Sequence, residues 1–509
     1  MALGRLRPLS MIGGGVLLAP LIVLVLKGVE DSSLWHFLKQ PIWLEALVTS
    51  SVLLAGAALF SVALSVPLAW FLHATDVPGK KLFSVLVVLP LAFPSYVGGY
   101  LVVSALSPGG MLPLFDPYSI WGALCALSFT FPLAFLSIRA SLGQIDQSQW
   151  NAARSLGLSG WQVFWAVVWP QIKAGVFSGG LWVGLYALGD FGAVSLTRTK
   201  TLSYMIYLRY KSLVDKNEAI GFALLLLVLC LFVCWVALKI APHKNKRLRF
   251  SKPVWRSIKL GRFRWCVFAF FLLVTTVWLL APCGLLIGWM VRGSTEGVTF
   301  YMPWAETFRT LGLGFASALL IVVFSLAMLS EGFGDTERQG KPKNITRLIS
   351  SLGYALPGIV IGLTCASFSL RWFPFAYQTI GLLCVGLFIR FSPLALDTLS
   401  NGIKNQNESS YWAARTLGCG RLGAIAKAVL PAIKGSVFVA FLALFVAIIK
   451  ELPVTMLIAP AGFTTLSVKI WSLTEDAYLA EVAPIVFLMV ACTVLLLGLQ
   501  KWFERKGAS

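Results

Sequence analysis

Charged side chains are scarce in this sequence. Lys, Arg, Asp and Glu together make up 12% of its 509 residues, about half the share of a soluble globular protein. That excludes an ordinary water-soluble domain. Histidine is nearly missing too: His36, His73 and His243 lie far apart, so they form no metal centre. No H-E-x-x-H and no G-x-S-x-G string occurs, which removes the zinc-peptidase and nucleophile-elbow hydrolase classes. The string nearest to a nucleotide-binding loop is A-T-D-V-P-G-K-K, ending at Lys81. It has Ala74 where the first glycine is required and Lys81 where Ser or Thr would hold magnesium. The nine cysteines are spread singly. Cys230 and Cys234 stand one helical turn apart with no second pair, so helix packing is expected, not a metal or disulfides. No catalytic machinery is recognisable, and no cofactor or metal is expected on this chain.

Apolar residues are abundant: 58% of the chain is hydrophobic. Many separate runs reach the roughly 17 to 25 residues that cross a bilayer as a helix. They are continuous and do not alternate over about ten residues, which excludes a membrane barrel. The 45 Gly and 24 Pro are compatible, since both are enriched in membrane helices. Twelve spans are expected, near 11–27, 43–72, 82–106, 119–139, 172–196 and 217–240, then 265–290, 308–330, 347–370, 378–398, 433–458 and 481–500. The run from Met11 to Leu26 follows Arg5 and Arg7 and lacks a small-residue cleavage site, so it reads as a retained span.

The formal charge of +21 resides mostly in short loops, which is the positive-inside pattern and no nucleic-acid surface. Residues 241–264 hold nine basic residues and no acid. That stretch is a cytoplasmic linker between a first domain, 1–240, and a second, 265–509. With twelve spans both termini are cytoplasmic. One loop disagrees: 197–216 carries Arg198, Lys200, Arg209, Lys211 and Lys216 on the outward side. Thr199–Tyr207 and Ala459–Trp471 both read as a turn followed by a short amphipathic segment, re-entrant, surface-lying or a plain loop.

One stretch occurs twice. N-A-A-R-S-L-G runs from Asn151 to Gly157, and W-A-A-R-T-L-G runs from Trp412 to Gly418. At an offset of 261 residues, eight positions are identical: the Ala152, Ala153, Arg154, Leu156, Gly157, Pro170, Ile172 and Lys173 set and its copy. That is an internal repeat. Each copy is a short polar helix on the cytoplasmic side, closed by a glycine turn. Ala152, Ala153, Ala413 and Ala414 permit close approach. Two rigid copies suit a two-fold partner.

Asp190 and Glu451 are equivalent at the same offset. An ionisable residue at membrane depth faces a cavity or a partner, so both are candidates for the pathway or its gate, while helix capping is the plainer use. Pro94 and Pro357 correspond at an offset of 263, with Gly98, Gly99 and Gly358 beside them. Spans three and nine are therefore expected to bend or break there, as helices lining a route do. Tyr96 and Tyr100 lie beside the first break.

The pattern A-A-x-x-x-G with a following L-P, at Leu430-Pro431, resembles the cytoplasmic signature of bacterial ABC importer permeases. Three further strings resemble the fused ferric iron permeases of that family: L-P-L-A-F-P-S-Y-V-G-G-Y from Leu89, Y-A-L-P-G-I-V-I-G from Tyr354, and K-E-L-P-V-T-M-L from Lys450. The family motif starts with Glu, where this chain has Asn151 and Trp412. The resemblance implies an all-α polytopic fold in two six-span halves about a pseudo-two-fold axis, set in membrane lipid of the bacterial inner membrane. It implies a transport subunit with no active site of its own. Two copies of a cytoplasmic ATPase, carrying ATP and Mg2+, would dock on Asn151, Ala152, Ala153 and Gly157 and on Trp412, Ala413, Ala414 and Gly418, with Arg154 and Arg415 offering charge. An external ferric-ion-binding protein would deliver cargo. The related thiamine, polyamine, sulfate and phosphonate importers share parts of these strings. An ion-driven secondary transporter is the rival class, though it has no need of the alanine-glycine pair.

Overall fold

The computed structural model describes residues 15–16, 21–28, 37, 39–212, 216–240, 258–330, 356–404 and 409–507. Most of the basic linker and Tyr354 lie outside them, as do parts of the expected first and ninth spans. The described chain is helical, and among the described residues the only β pairing is one isolated bridge.

In chain order the first half contains α1 (Ile42–Ala74), α2 (Lys80–Leu86), α3 (Ser95–Leu106), α4 (Ile120–Leu142), α5 (Gln147–Ser155), α6 (Gly160–Gly189), α7 (Gly192–Leu196), α8 (Leu202–Lys211) and α9 (Lys216–Ile240). The second contains α10 (Gly261–Thr295), α11 (Trp304–Ser330), α12 (Gly358–Trp372), α13 (Ile380–Lys404), α14 (Ser409–Thr416), α15 (Ile425–Ala432), α16 (Lys434–Ile449), α17 (Pro453–Ile458), α18 (Leu466–Glu475) and α19 (Leu479–Gly507). Eight of the described helices are long and apolar enough to cross a membrane, and up to ten spans result if each sharply bent pair counts as one.

Two expected spans are not continuous. The one placed at 172–196 ends at Gly189, and the one at 433–458 ends at Ile449. Each is followed by a short helix, α7 or α17, so Asp190 and Glu451 sit in the break. Pro453 at the start of α17 suits a new first turn. The expected break at Pro94 is present: the segments 80–92 and 95–106 meet at 88°. The bend at Pro431 is sharper than at its counterpart Pro170, with α15 and α16 at 68° where α6 passes as one helix. A π-helical turn precedes each proline, at Phe164–Val168 and Ile425–Val429. It absorbs the helix distortion that the proline ring causes.

In each half three long helices pack together, α1 with α4 and α6, and α11 with α13 and α16. Small residues let the backbones approach: a Cβ on Gly179 would lie 2.9 Å from the Ala134 Cα. The halves also exchange contacts. Helix α18 packs on α3, and α8 packs on α12. The first part of α10 covers the first half, and its last part packs on α19 of its own half. Phe268 and Phe271 lie 5.5 and 5.2 Å from Phe83, and the Trp278 indole donates to the Ser128 hydroxyl at 2.8 Å. The chain entering α10 is stitched to the end of α1, where the Ile258 N–H donates to the Ala74 carbonyl at 2.8 Å and the Asp76 carboxylate accepts from the Leu260 N–H at 3.0 Å.

The basic stretch 197–216 finds partners within the fold. Lys200 pairs with Glu45 and Arg209 with Glu218, each at 3.2 Å, and Arg198 lies over the Tyr118 ring. Its positive charge is thus answered by local carboxylates and an aromatic face. Both amphipathic segments are helices, α8 and α18, and both bury one side: Leu202, Met205 and Ile206 in one, Leu466, Ile470 and Trp471 in the other.

Candidate functional site

The two repeated motifs fold alike. In α5 the Asp146 carboxylate caps the helix by accepting the Ser148 N–H at 2.9 Å. Trp150 turns inward, its ring 5.5 Å from Trp70, and the equivalent Tyr411 of α14 is likewise buried. These two anchors were not singled out in the sequence, because they differ in identity; an aromatic residue just before each Ala-Ala pair was the available sign. Asn151, Ala152, Arg154, Trp412, Ala413 and Arg415 are on the exposed side, while Ala153 is buried and Ala414 half-buried.

Gly157 and Gly418 each take φ +86. The Gly157 N–H donates to the Arg154 carbonyl at 3.0 Å, and the Leu158 N–H to Ala153 at 3.3 Å. The second copy repeats both bonds at 3.1 Å. This left-handed residue and its two crossing bonds form a Schellman turn, which satisfies the last carbonyls of the helix. Arg154 and Arg415 serve the same turns: each Nη1 donates four residues on, to the Leu158 carbonyl at 2.7 Å and the Cys419 carbonyl at 2.9 Å. Their heads are tied back to the motif. What projects is apolar: Leu156 is 82% exposed and Leu417 is 83% exposed. Two leucines left in water at equivalent points make a matched pair of contact knobs.

The Ser148 N–H holds the Asp146 carboxyl below the usual carboxylate pKa. A carboxylate with a depressed folded value stabilises above its unfolded value and loses that contribution as pH falls through the folded one. Amide exchange in α5 is therefore expected to be slow at neutral pH and to lose protection below about pH 4, the ordinary Asp range. Asp146→Asn, which caps without titrating, should remove that pH dependence.

Helix α6 carries the motif end about 45 Å to the other candidates, at 1.5 Å per residue over Gly160–Gly189. There the two halves again match. The Asp190 carboxylate accepts the Ala193 N–H at 2.8 Å, and the Glu451 carboxylate accepts the Val454 N–H at 3.2 Å. The carbonyls of both residues take a serine hydroxyl at 2.6 Å, from Ser203 and Ser467. A hydroxyl on α1 or α11, Ser50 or Thr310, accepts the N–H of Leu202 or Leu466 at 2.9 or 2.8 Å. The acidic break, the short helix and the return helix are therefore one hydrogen-bonded unit, built twice.

The copies differ in their charge partner. Arg390 of α13 pairs with Glu451, Nε to Oε2, at 2.8 Å. At the repeat offset its counterpart is Phe129. Pro94 and Pro357 lead into α3 and α12, and a Cβ on Gly189 would lie 3.6 Å from the Pro357 Cα. Tyr96 and Tyr100 are buried at the seam between halves, Tyr96 donating to the Met489 sulfur at 3.0 Å and Tyr100 to the Leu479 carbonyl at 2.9 Å. Lys450 crosses the seam to the Leu91 carbonyl at 3.1 Å, and the Trp471 indole donates to Ser195 at 2.9 Å. The structure thus gathers Asp190, Glu451, Pro94, Pro357, Tyr96 and Tyr100 at the meeting of the halves and keeps the motif helices apart from them. Among the described residues no three His, Cys, Asp or Glu side chains cluster as a metal site.

Residues 65–246 and 324–507 each match the model of a family described as binding-protein-dependent transport system inner membrane component. The Fe(3+)-transport system permease protein FbpB 2 of Haemophilus influenzae is 26% identical over 469 residues, spanning 89% of this chain and 89% of that protein. The sulfate transport system permease protein CysT of Synechococcus elongatus is 34% identical over 190 residues, 35% of this chain and 68% of its own. The molybdenum transport system permease protein ModB of Escherichia coli is 33% identical over 165 residues, 31% of this chain and 72% of its own.

Proposed function

We propose, for a chain that belongs to the binding-protein-dependent transport system inner membrane components, that it is the pathway-forming subunit of an ATP-driven importer of ferric iron. It is a multi-pass membrane protein. Its two family segments form two fused six-span halves, divided at the basic linker and related by a pseudo-two-fold axis along the membrane normal. Both termini and both motif helices are cytoplasmic. One copy of a separate ATPase docks on each motif, binds ATP and Mg2+, and performs the hydrolysis that this chain lacks the residues for.

The observation that carries this reading is the pair of identical Schellman turns presenting Leu156 and Leu417 to solvent. An ion-driven carrier has no use for two such knobs. The iron assignment is supported by coverage: the ferric relative aligns across both halves, whereas the sulfate and molybdenum relatives align with about a third of the chain. An external ferric-ion-binding protein would load the end where α7, α8, α17 and α18 gather.

The test is co-purification with the ATPase in nanodiscs, followed by ATPase activity with iron-loaded and iron-free binding protein. Iron-dependent stimulation is expected. The double variant Leu156→Asp/Leu417→Asp should lose association by about tenfold or more, since two apolar anchors would be replaced by desolvated charges. Undiminished association would remove the motifs from the interface. No association in the wild type would end the importer reading.

A further inference from the structure

Arg390 lies near the middle of α13, a membrane-spanning helix. An arginine at that depth is costly and faces a partner or a water-filled cavity. It has both. Its Nε is paired with Glu451, and its Nη1 donates to the Leu356 carbonyl at 3.4 Å, yet the side chain remains 24% exposed while that of Glu451 is 4% exposed. Tyr186, one turn before Asp190 on α6, is 39% exposed. Its phenol lies within electrostatic reach of Asp190, Arg390 and Glu451. These neighbours come from both halves, so the exposed area lies at the seam.

At this seam the carboxylates are hidden, while Arg390 and Tyr186 are partly exposed. Asp190 and Glu451 are buried and accept the Ala193 and Val454 N–H groups, and Glu451 is ion-paired with Arg390. What remains exposed is part of Tyr186 and part of the Arg390 side chain. A guanidinium recognises oxyanions in a planar, two-pronged geometry. A bare trivalent cation would meet that positive charge before it reached either carboxylate. Lys450 is spent elsewhere, on the Leu91 carbonyl.

We propose that Arg390 and Tyr186 form an oxyanion-recognising site on the transport route. The cargo crosses with acceptor oxygens turned toward them, as a free tetrahedral oxyanion or as the oxyanion ligands of a complexed ferric ion. The inference rests on the importer reading and narrows its cargo. Commitment of part of the guanidinium to Glu451 keeps the site weak, as a route that must release its cargo requires.

The experiment is initial uptake into proteoliposomes holding the complete complex with its ATPase and binding protein. Ferric ion is supplied with and without phosphate, and labelled sulfate is supplied separately. Arg390→Gln is expected to lower uptake by about tenfold or more, the scale of one lost charge-assisted contact, and Arg390→Lys by less. Tyr186→Phe is expected to lower it by a smaller factor. The deciding variant is Arg390→Gln/Glu451→Gln. If Arg390 only neutralises Glu451, removing both charges restores uptake, and the proposal falls. If Arg390 meets the cargo, the double variant stays as slow as Arg390→Gln. Ferric uptake that requires phosphate identifies a ligand shell, and sulfate uptake identifies a free oxyanion. Ferric uptake equal with and without phosphate, in a wild type that takes up no sulfate, overturns the proposal and leaves the importer reading standing. A wild type that moves neither cargo overturns both.

Discussion

Glu451→Ala is expected to destabilise the protein by about 3 kcal/mol, the lower part of the range for breaking a buried ion pair. Asp190→Ala, at the equivalent position, is expected to cost about 1 to 2 kcal/mol. The difference comes from what each substitution leaves behind. Without Glu451, the Arg390 guanidinium keeps one backbone carbonyl at 3.4 Å and no counter-charge in direct contact. Its partial exposure tempers the penalty. Without Asp190, the group left unsatisfied is the Ala193 N–H, which is neutral. Phe129 stands where the arginine would be. Thermal unfolding of the two variants in nanodiscs measures the contrast. Equal losses would mean that the ion pair adds nothing and that the halves are energetically interchangeable at their breaks.

The double variant Gly157→Val/Gly418→Val is expected to abolish ATPase stimulation, by about tenfold or more, through the backbone alone. At φ +86 a β-branched residue is strained by about 1 to 3 kcal/mol. Nothing lies within 4 Å of a Cβ built at either glycine, so sterics at the surface do not enter. The strain unwinds the Schellman turn, releases the carbonyls that Arg154 and Arg415 hold, and redirects Leu156 and Leu417. The two sites are remote from each other, so single variants should each give part of the loss, adding in free energy. ATPase rate against binding-protein concentration reads this directly. Full stimulation in the double variant would show that the turn geometry has no part in coupling.

Much of this was legible in the sequence, for reasons that can be named. The turn glycines were readable because φ +86 leaves glycine little competition, so identity persisted in both copies. The break at Pro94 was readable because proline ends a helix by covalent geometry. The breaks at Asp190 and Glu451 were harder. Apolar residues continue on both sides, as G-D-F-G-A-V and K-E-L-P-V-T, so hydropathy alone runs the span straight through. What interrupts it is a hydrogen-bonding pattern involving Ser50, Ser203, Thr310 and Ser467, scattered over the chain. Arg390 leaves no trace in the repeat, because Phe129 occupies the matched position. A charged residue inside an apolar run was sign enough. The partner of Lys200 was beyond any local reading, since Glu45 lies 155 residues away.

The placement of α10 has a consequence for how the protein is made. Ribosomes deliver the first half long before the second. Until Gly261–Thr295 has been inserted, the groove that Phe83 and Phe131 line has no cover, and the stitch between Ala74 and Ile258 cannot close. The nascent first half therefore lacks this packing until translation has passed Trp278. A gene cut within the linker would yield a first piece that is complete in sequence and unfinished in packing. A cut after α10 would keep that cover but leave the end of α10 without α19.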